Sequence, residues 1–179
     1  MHPLPTIERF DAWLAERSLR LDAVVIGGSA LALLGVTDRQ TRDVDILHPE
    51  LPAEVSRAAS EFAAVLRSEG VELGDDWLNN GPIQLAKELP EGWRLRMRVA
   101  FDGAALRLTS LGPADLLKSK LFALCDRGTD LVDCIALRLT AIELDDAEPC
   151  LAARDQNPMW PDHVRATLAD LRARLGHGL

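Results

Sequence analysis

Tyrosine is absent from this chain of 179 residues, and aromatic residues make up only 4% of it. With aromatics scarce and helix formers dominant, the composition points to a helix-rich mixed fold. The only cysteines are Cys125, Cys134 and Cys150. An odd number without paired metal-type spacing argues against a disulfide framework or a zinc site, and they read as small buried hydrophobes of a reducing compartment. His2, His48, His163 and His177 show no ligand spacing. No apolar run approaches the roughly 20 residues that span a bilayer. The opening MHPLPTIERFDAW lacks the basic and apolar regions of a signal peptide. The expected compartment is therefore cytoplasmic, with no membrane partner. Basic charge is also short. A net charge of -8 disfavours broad, non-specific binding of nucleic acid or anionic membranes, though not a local basic groove.

Hydrophobic residues form 47% of the chain, enough for a core in one domain or in one domain with a helical appendage. A first helix is expected over PTIERFDAWLAERSLR, capped by Thr6, with Ile7, Phe10, Trp13 and Leu14 at helical spacing. AVVI reads as an apolar strand, GG as a tight turn and SALALL as a short helix ended by Gly35. DVDIL is a second strand. AEVSRAASEFAAVLRSEG is an amphipathic helix with Gly70 as C-cap. VEL is weakly strand-like, and GDDWLNNGP is loop-like. WRLRMRVAF alternates, with Trp93, Leu95, Met97, Val99 and Phe101 on one face and Arg94, Arg96 and Arg98 on the other. DG turns it into a hairpin with ALRLTSL. Helices then follow over GPADLLKSKLFALCDRG, TDLVDCIALRLT with Thr129 as cap, and PDHVRATLADLRARLG. These elements make an α+β fold: a small mixed β-sheet flanked by helices over residues 1–110, and a helical C-terminal part over 111–179. The leucine stripe of the last helix is left to cover either its own core or a second subunit.

The chemistry begins at TRDVDIL. Residues i and i+2 of a strand point to the same side, roughly 6.5 Å apart, so Asp43 and Asp45 project together while Val44 and Ile46 face the core. Two convergent carboxylates repel and favour a shared hard cation, Mg²⁺ or Mn²⁺, completed by substrate phosphates and water. Upstream, Gly27, Gly28 and Ser29 lie between strand and helix. Glycines there let backbone N–H groups approach a phosphate, and Ser29 is placed to cap the helix or bind a phosphate oxygen. The stretch lacks both the third glycine of a dinucleotide fingerprint and the lysine of a P-loop. A phosphate cradle beside a metal dyad is the pairing that nucleotide chemistry needs. Farther on, a helical wheel of DLLKSKLFAL puts Leu116, Leu117, Leu121 and Leu124 on one arc and Lys120 inside it. A lysine there snorkels or meets an anion. Asp130 and Asp133 follow on the next helix, and either can pair with it.

GGSALALLG and TRDVDIL together resemble the signature of the DNA polymerase beta-type nucleotidyltransferase superfamily. LTSLGPADLLKSKLFALCDRGTDLVDC is similar to the pattern of its bacterial AbiEii-like group, which includes toxins of toxin–antitoxin systems. The resemblance runs over roughly residues 22–138. It implies a nucleotidyltransferase-type fold, with Gly27, Gly28, Ser29, Arg39, Thr41 and Lys120 binding an NTP. Asp43 and Asp45 would hold the metal, and Lys120 with Asp133 (preferred over Asp130) would complete the catalytic set. It also implies transfer of NMP to an acceptor hydroxyl, such as an RNA (tRNA) end, a protein hydroxyl or a small molecule such as an aminoglycoside, and a cognate antitoxin as partner. The superfamily's third carboxylate has no counterpart within RMRVAF, so Asp102, Asp133 or none fills that role, and Asp45 is the candidate base. Arg39 and Arg42 flank the dyad. Arg94, Arg96, Arg98 and Arg107 form either a solvated face or a surface for NTP phosphates or an RNA backbone. Trp77, Asn79 and Asn80 are either plain loop or base contacts. The rival readings are a catalytically inactive module on the same fold and a Rossmann-like nucleotide binder.

Overall fold

Register along the central strands sets the geometry of everything that follows. The computed structural model describes residues 1–87 and 89–177. It divides into two units, Met1–Gly112 and the helices from Pro113 onward. In the first unit the order is α1 (Pro3–Glu16), β1 (Leu21–Ile26), α2 (Gly27–Leu33), β2 (Val44–His48), α3 (Ala53–Ser68), β3 (Leu78–Asn79), two 3-10 turns (Ile83–Lys87 and Trp93–Arg96), β4 (Arg98–Asp102) and β5 (Leu106–Ser110). The five strands form one mixed sheet in the order β3-β2-β1-β5-β4. β1 is antiparallel to β2 and parallel to β5, and β4 closes the hairpin on β5. This is the α+β architecture expected, a small mixed sheet flanked by helices.

One face of the sheet is buried and the other more open, as β5 shows. Leu106, Leu108 and Ser110 are buried, whereas Arg107 is exposed and Thr109 half-buried. The helix side is built on an aromatic cluster. Phe10 and Trp13 of α1 meet Phe62 of α3 and Trp77, with ring centroids 5.0 to 5.7 Å apart. Offset and edge-on rings at such spacing add to plain area burial. Trp77 is therefore core: it is 1% exposed, and its Nε1 donates to the Ala59 carbonyl. It is not available to a base.

Several local expectations are corrected. Thr6 is inside α1, with its hydroxyl donating to the carbonyl of His2, the N-cap residue. The prolines of the first turn, which need no N–H partners, start the helix earlier. VEL is not a strand; the short pairing to β2 is made by Leu78 and Asn79. The alternating run does not extend from Trp93. Gly92, at φ +73°, turns the chain into a 3-10 helix, which buries Trp93 and leaves Leu95 92% exposed. Arg96 Nη1 donates to the Glu91 carbonyl across that turn. A period of two and a period of three share too few positions over four residues to be told apart.

The second unit holds α4 (Pro113–Arg127), α5 (Leu131–Ala136), α6 (Ala141–Ala152) and α7 (Trp160–Arg174). The helix expected over TDLVDCIALRLT stops at Ala136, and Asp130, not Thr129, is its N-cap residue. α6 was not foreseen, although Thr140 and Glu143 form a capping box at its start, and that pattern is legible in sequence. Val164, Leu168 and Leu171 of α7 pack with Leu117, Leu121, Leu144 and Leu151 in one core, so the leucine stripe covers its own unit. Cys125 and Cys134 lie in that core as unpaired thiols, while Cys150 is half-buried. Burial pushes the Cys125 thiol up to about 11 and the Cys134 thiol to about 12, which keeps both protonated. Among the described residues no helix is long and apolar enough to cross a membrane.

Candidate active site

Antiparallel pairing of β1 with β2 places Ile26 opposite Asp45. The chain leaves β1 at Ile26 and enters α2 directly at Gly27, so the glycines expected to form a separate tight turn are instead the first residues of the helix, at the carboxylate's level. Gly27 has φ +77°, and a Cβ built on it would stand 2.9 Å from Asp45 Oδ2. Only glycine accepts both that backbone conformation and that approach. A Cβ on Gly28 would meet Thr41 Cγ2 at 3.1 Å and Arg39 Nη2 at 3.5 Å. Gly27, Gly28, Arg39, Thr41 and Asp45 are thus one cluster.

Asp45 is half-buried between the wholly buried Val44 and Ile46, as expected. Asp43, expected on the strand, instead precedes it, because β2 begins at Val44; it is exposed, and strand alternation does not fix it on the side of Asp45. It lines an open cleft of about 1090 Å³, with Gln40, Thr41 and Arg42 on one wall and Glu72 and Asp76 on another. That second wall comes from a distant loop and carried no signal in the sequence. Thr41 is held by two backbone bonds to Met1, and its buried hydroxyl has no hydrogen-bond partner in the structure.

Ser29 behaves differently from expectation. It is 1% exposed, lies within α2 and not at its cap, and its hydroxyl donates to the Ile26 carbonyl. Asp102 is likewise excluded as a third carboxylate. It pairs with Arg107, which pairs with Asp22 at the start of β1, whereas Asp45 is opposite the end of β1. Four residues of extended strand separate those levels by about 13 Å. Asn79 is the residue directly opposite Asp45 on β3, and Asn80 braces the turn after β2 by donating to the Ile46 and Pro49 carbonyls.

Lys120 belongs to the second unit. Its side chain is 8% exposed, and its ammonium donates to Asp130 Oδ1 at 2.8 Å and Asp133 Oδ2 at 2.6 Å. Burial opposes its charge, but the two carboxylates outweigh it and hold the ammonium above the usual lysine value. Arg127 and Thr129 also reach Asp130 Oδ2. The apolar-arc lysine thus meets both candidate acids, not one.

Residues 4–149 match the model of a family described as nucleotidyltransferase of unknown function (DUF6036). The chain belongs to this nucleotidyltransferase family. No curated protein and no solved structure gives a significant match. The family match spans the glycine turn, the dyad and the Lys120 triad, so every candidate residue of this nucleotidyltransferase chain lies within it. Among the described residues there is no group of three metal-ligating side chains. A pair of carboxylates without a third protein ligand suits Mg²⁺, which keeps several waters and takes one or two carboxylates plus substrate phosphates. Asp43 and Asp45 supply carboxylate oxygens, the donor type that such an ion takes.

Proposed function

We propose that the chain transfers NMP from an NTP to an acceptor hydroxyl with Mg²⁺ or Mn²⁺ held by Asp43 and Asp45. The observation that carries this reading is the approach of the Asp45 carboxylate to Gly27. That approach sets one carboxylate of the pair beside the two glycines that open α2. The bound ion would neutralise the triphosphate and the charge that develops during transfer. Gly27 and Gly28 offer the phosphates a close backbone approach, and Arg39 stands beside them. The acceptor oxygen bonds to the α-phosphorus, the bond to the β-phosphate oxygen breaks, and pyrophosphate leaves. In this reading Asp45 takes the hydroxyl proton, and Lys120 with Asp133 belongs to the catalytic set by family resemblance.

The acceptor is read as an RNA (tRNA) end. The protein is read as the toxin-like, cytoplasmic member of a pair with a cognate antitoxin, in the manner of the AbiEii-like group. The test is transfer of label from α-labelled NTPs with Mg²⁺ to purified RNA, to protein and to aminoglycosides, with Asp43→Ala and Asp45→Ala as controls. Labelled RNA that disappears in both variants supports the reading. Label on an antibiotic alone moves the acceptor to a small molecule. Failure of any NTP to bind, with or without Mg²⁺, leaves the inactive-module reading.

A further inference from the structure

Resting on the reading of an RNA acceptor, we propose that the segment Arg94–Arg98 is the tract that holds the RNA strand as it runs away from the transfer site. Strand register places it. Arg98 pairs with Ser110 on β5, Ser110 with Val25 on β1, and the next residue, Ile26, with Asp45 on β2. Arg98 and Asp45 therefore occupy the same end of the sheet, Arg98 in register with Ser110, Val25 and Ile46 and Asp45 one residue on and facing the other side, so that an RNA strand reaching both passes over that end. They are three strand spacings apart, about 14 Å. That is too far for the phosphates of an NTP seated at Gly27, and suited to backbone phosphates upstream of a bound RNA end.

The local chemistry suits a polyanion. From Gly92 to Phe101 the chain carries Arg94, Arg96 and Arg98 and no acidic residue, in a protein of net charge -8. All three arginines are exposed. The Arg94 guanidinium is stacked over the Trp93 ring, 4.4 Å from its centroid, which holds it in place without consuming its donors. Between them Leu95 is 92% exposed, an apolar surface in the middle of a basic stretch, placed to lie against an unstacked base. Phosphate contacts of this kind give affinity and position, not sequence.

The test is binding of a short, labelled, unstructured RNA to the intact protein without NTP, followed by anisotropy over a salt series. Arg94→Gln/Arg98→Gln spares Arg96, which braces its own turn. It should weaken binding roughly tenfold at low salt and lower the slope of log K against log salt by about 1.4, two contacts at about 0.7 each. Leu95→Ser should weaken binding with the slope unchanged. Arg20→Gln/Arg57→Gln, which removes the same charge elsewhere on this unit, should leave affinity within about twofold. Equal losses in the two double variants, or no RNA binding by the unaltered protein at low salt, would overturn the proposal. Titration of Mg²⁺–NTP on the same proteins separates the two readings. RNA bound through the tract without any NTP binding removes the transfer reading alone, and NTP binding without RNA binding removes the tract alone.

Discussion

Gly27 is the residue on which the site turns. Its positive φ and its contact with Asp45 are two separate demands, and alanine meets neither. Gly27→Ala is expected to cost about 1–3 kcal/mol through backbone strain and to displace the Asp45 carboxylate. Thermal unfolding and Mg²⁺–NTP titration should both report it. In a cycle with Asp45→Ala the stability losses should be non-additive, since the double variant relieves the contact but not the strain. Lys120 makes the opposite case, a charge that the fold needs. Lys120→Met removes the ammonium from two carboxylates, 15% and 1% exposed, and leaves Asp130 with Arg127 at 3.5 Å. The expected loss is about 3–5 kcal/mol in chemical denaturation. Adding Asp130→Asn and Asp133→Asn should recover much of it. Because the folded-state value of Lys120 is raised, its contribution is complete below the ordinary lysine value of about 10.4 and is lost as pH rises through the folded value. A stability profile that loses this contribution nearer neutrality would contradict the triad. Lys120 inside the leucine arc was legible from helical spacing. Its two partners were not separable, because Asp130 and Asp133 lie on one short helix and only packing shows that both reach it.

Among the elements, the β4–β5 hairpin is fastened to α1 by one carboxylate. Asp11 accepts from the backbone N–H groups of Ala104, Ala105 and Leu106 at 2.7 to 3.0 Å. Burial works against that charge, but the three donors hold the carboxyl below its ordinary value. Asp11→Ala should cost about 1.5–3 kcal/mol, the range for hydrogen bonds to a charged group. The sign follows from the depressed value: the stabilisation is present above the ordinary aspartate value of about 3.9 and is lost as pH falls through the folded one. Unfolding free energies of Asp11→Ala and the unaltered protein should therefore converge in acid, and a gap that stays constant to low pH would sink this account. Strand and helix order was largely legible, since apolar runs and amphipathic periods persist for whole elements. The 3-10 turn at Trp93 and helix α6 were not. The first is too short for its period to show. The second contains Pro149 and shows its capping box only to a search for that pattern.

For the whole molecule, no metal cluster is part of the architecture among the described residues, and the two cores are apolar. Under the proposed transfer reading, chelation with EDTA should remove Mg²⁺–NTP binding and transfer and leave the melting temperature unchanged. A large drop in melting temperature on chelation would instead point to a structural ion. The sequence by itself determined the mixed α/β composition, most helices and strands, and the close spacing of Asp43 and Asp45, because periodicity and close spacing are local properties of a chain. Tertiary structure alone decided which of the remaining candidates belong together. Strand register carried Asp45 to Gly27 and Asp102 to the opposite end of the sheet. Packing turned Trp77 from a loop residue into core, and Ser29 from an open hydroxyl into a buried one. Pairing partners and burial depend on residues far apart in sequence, and no local pattern encodes them.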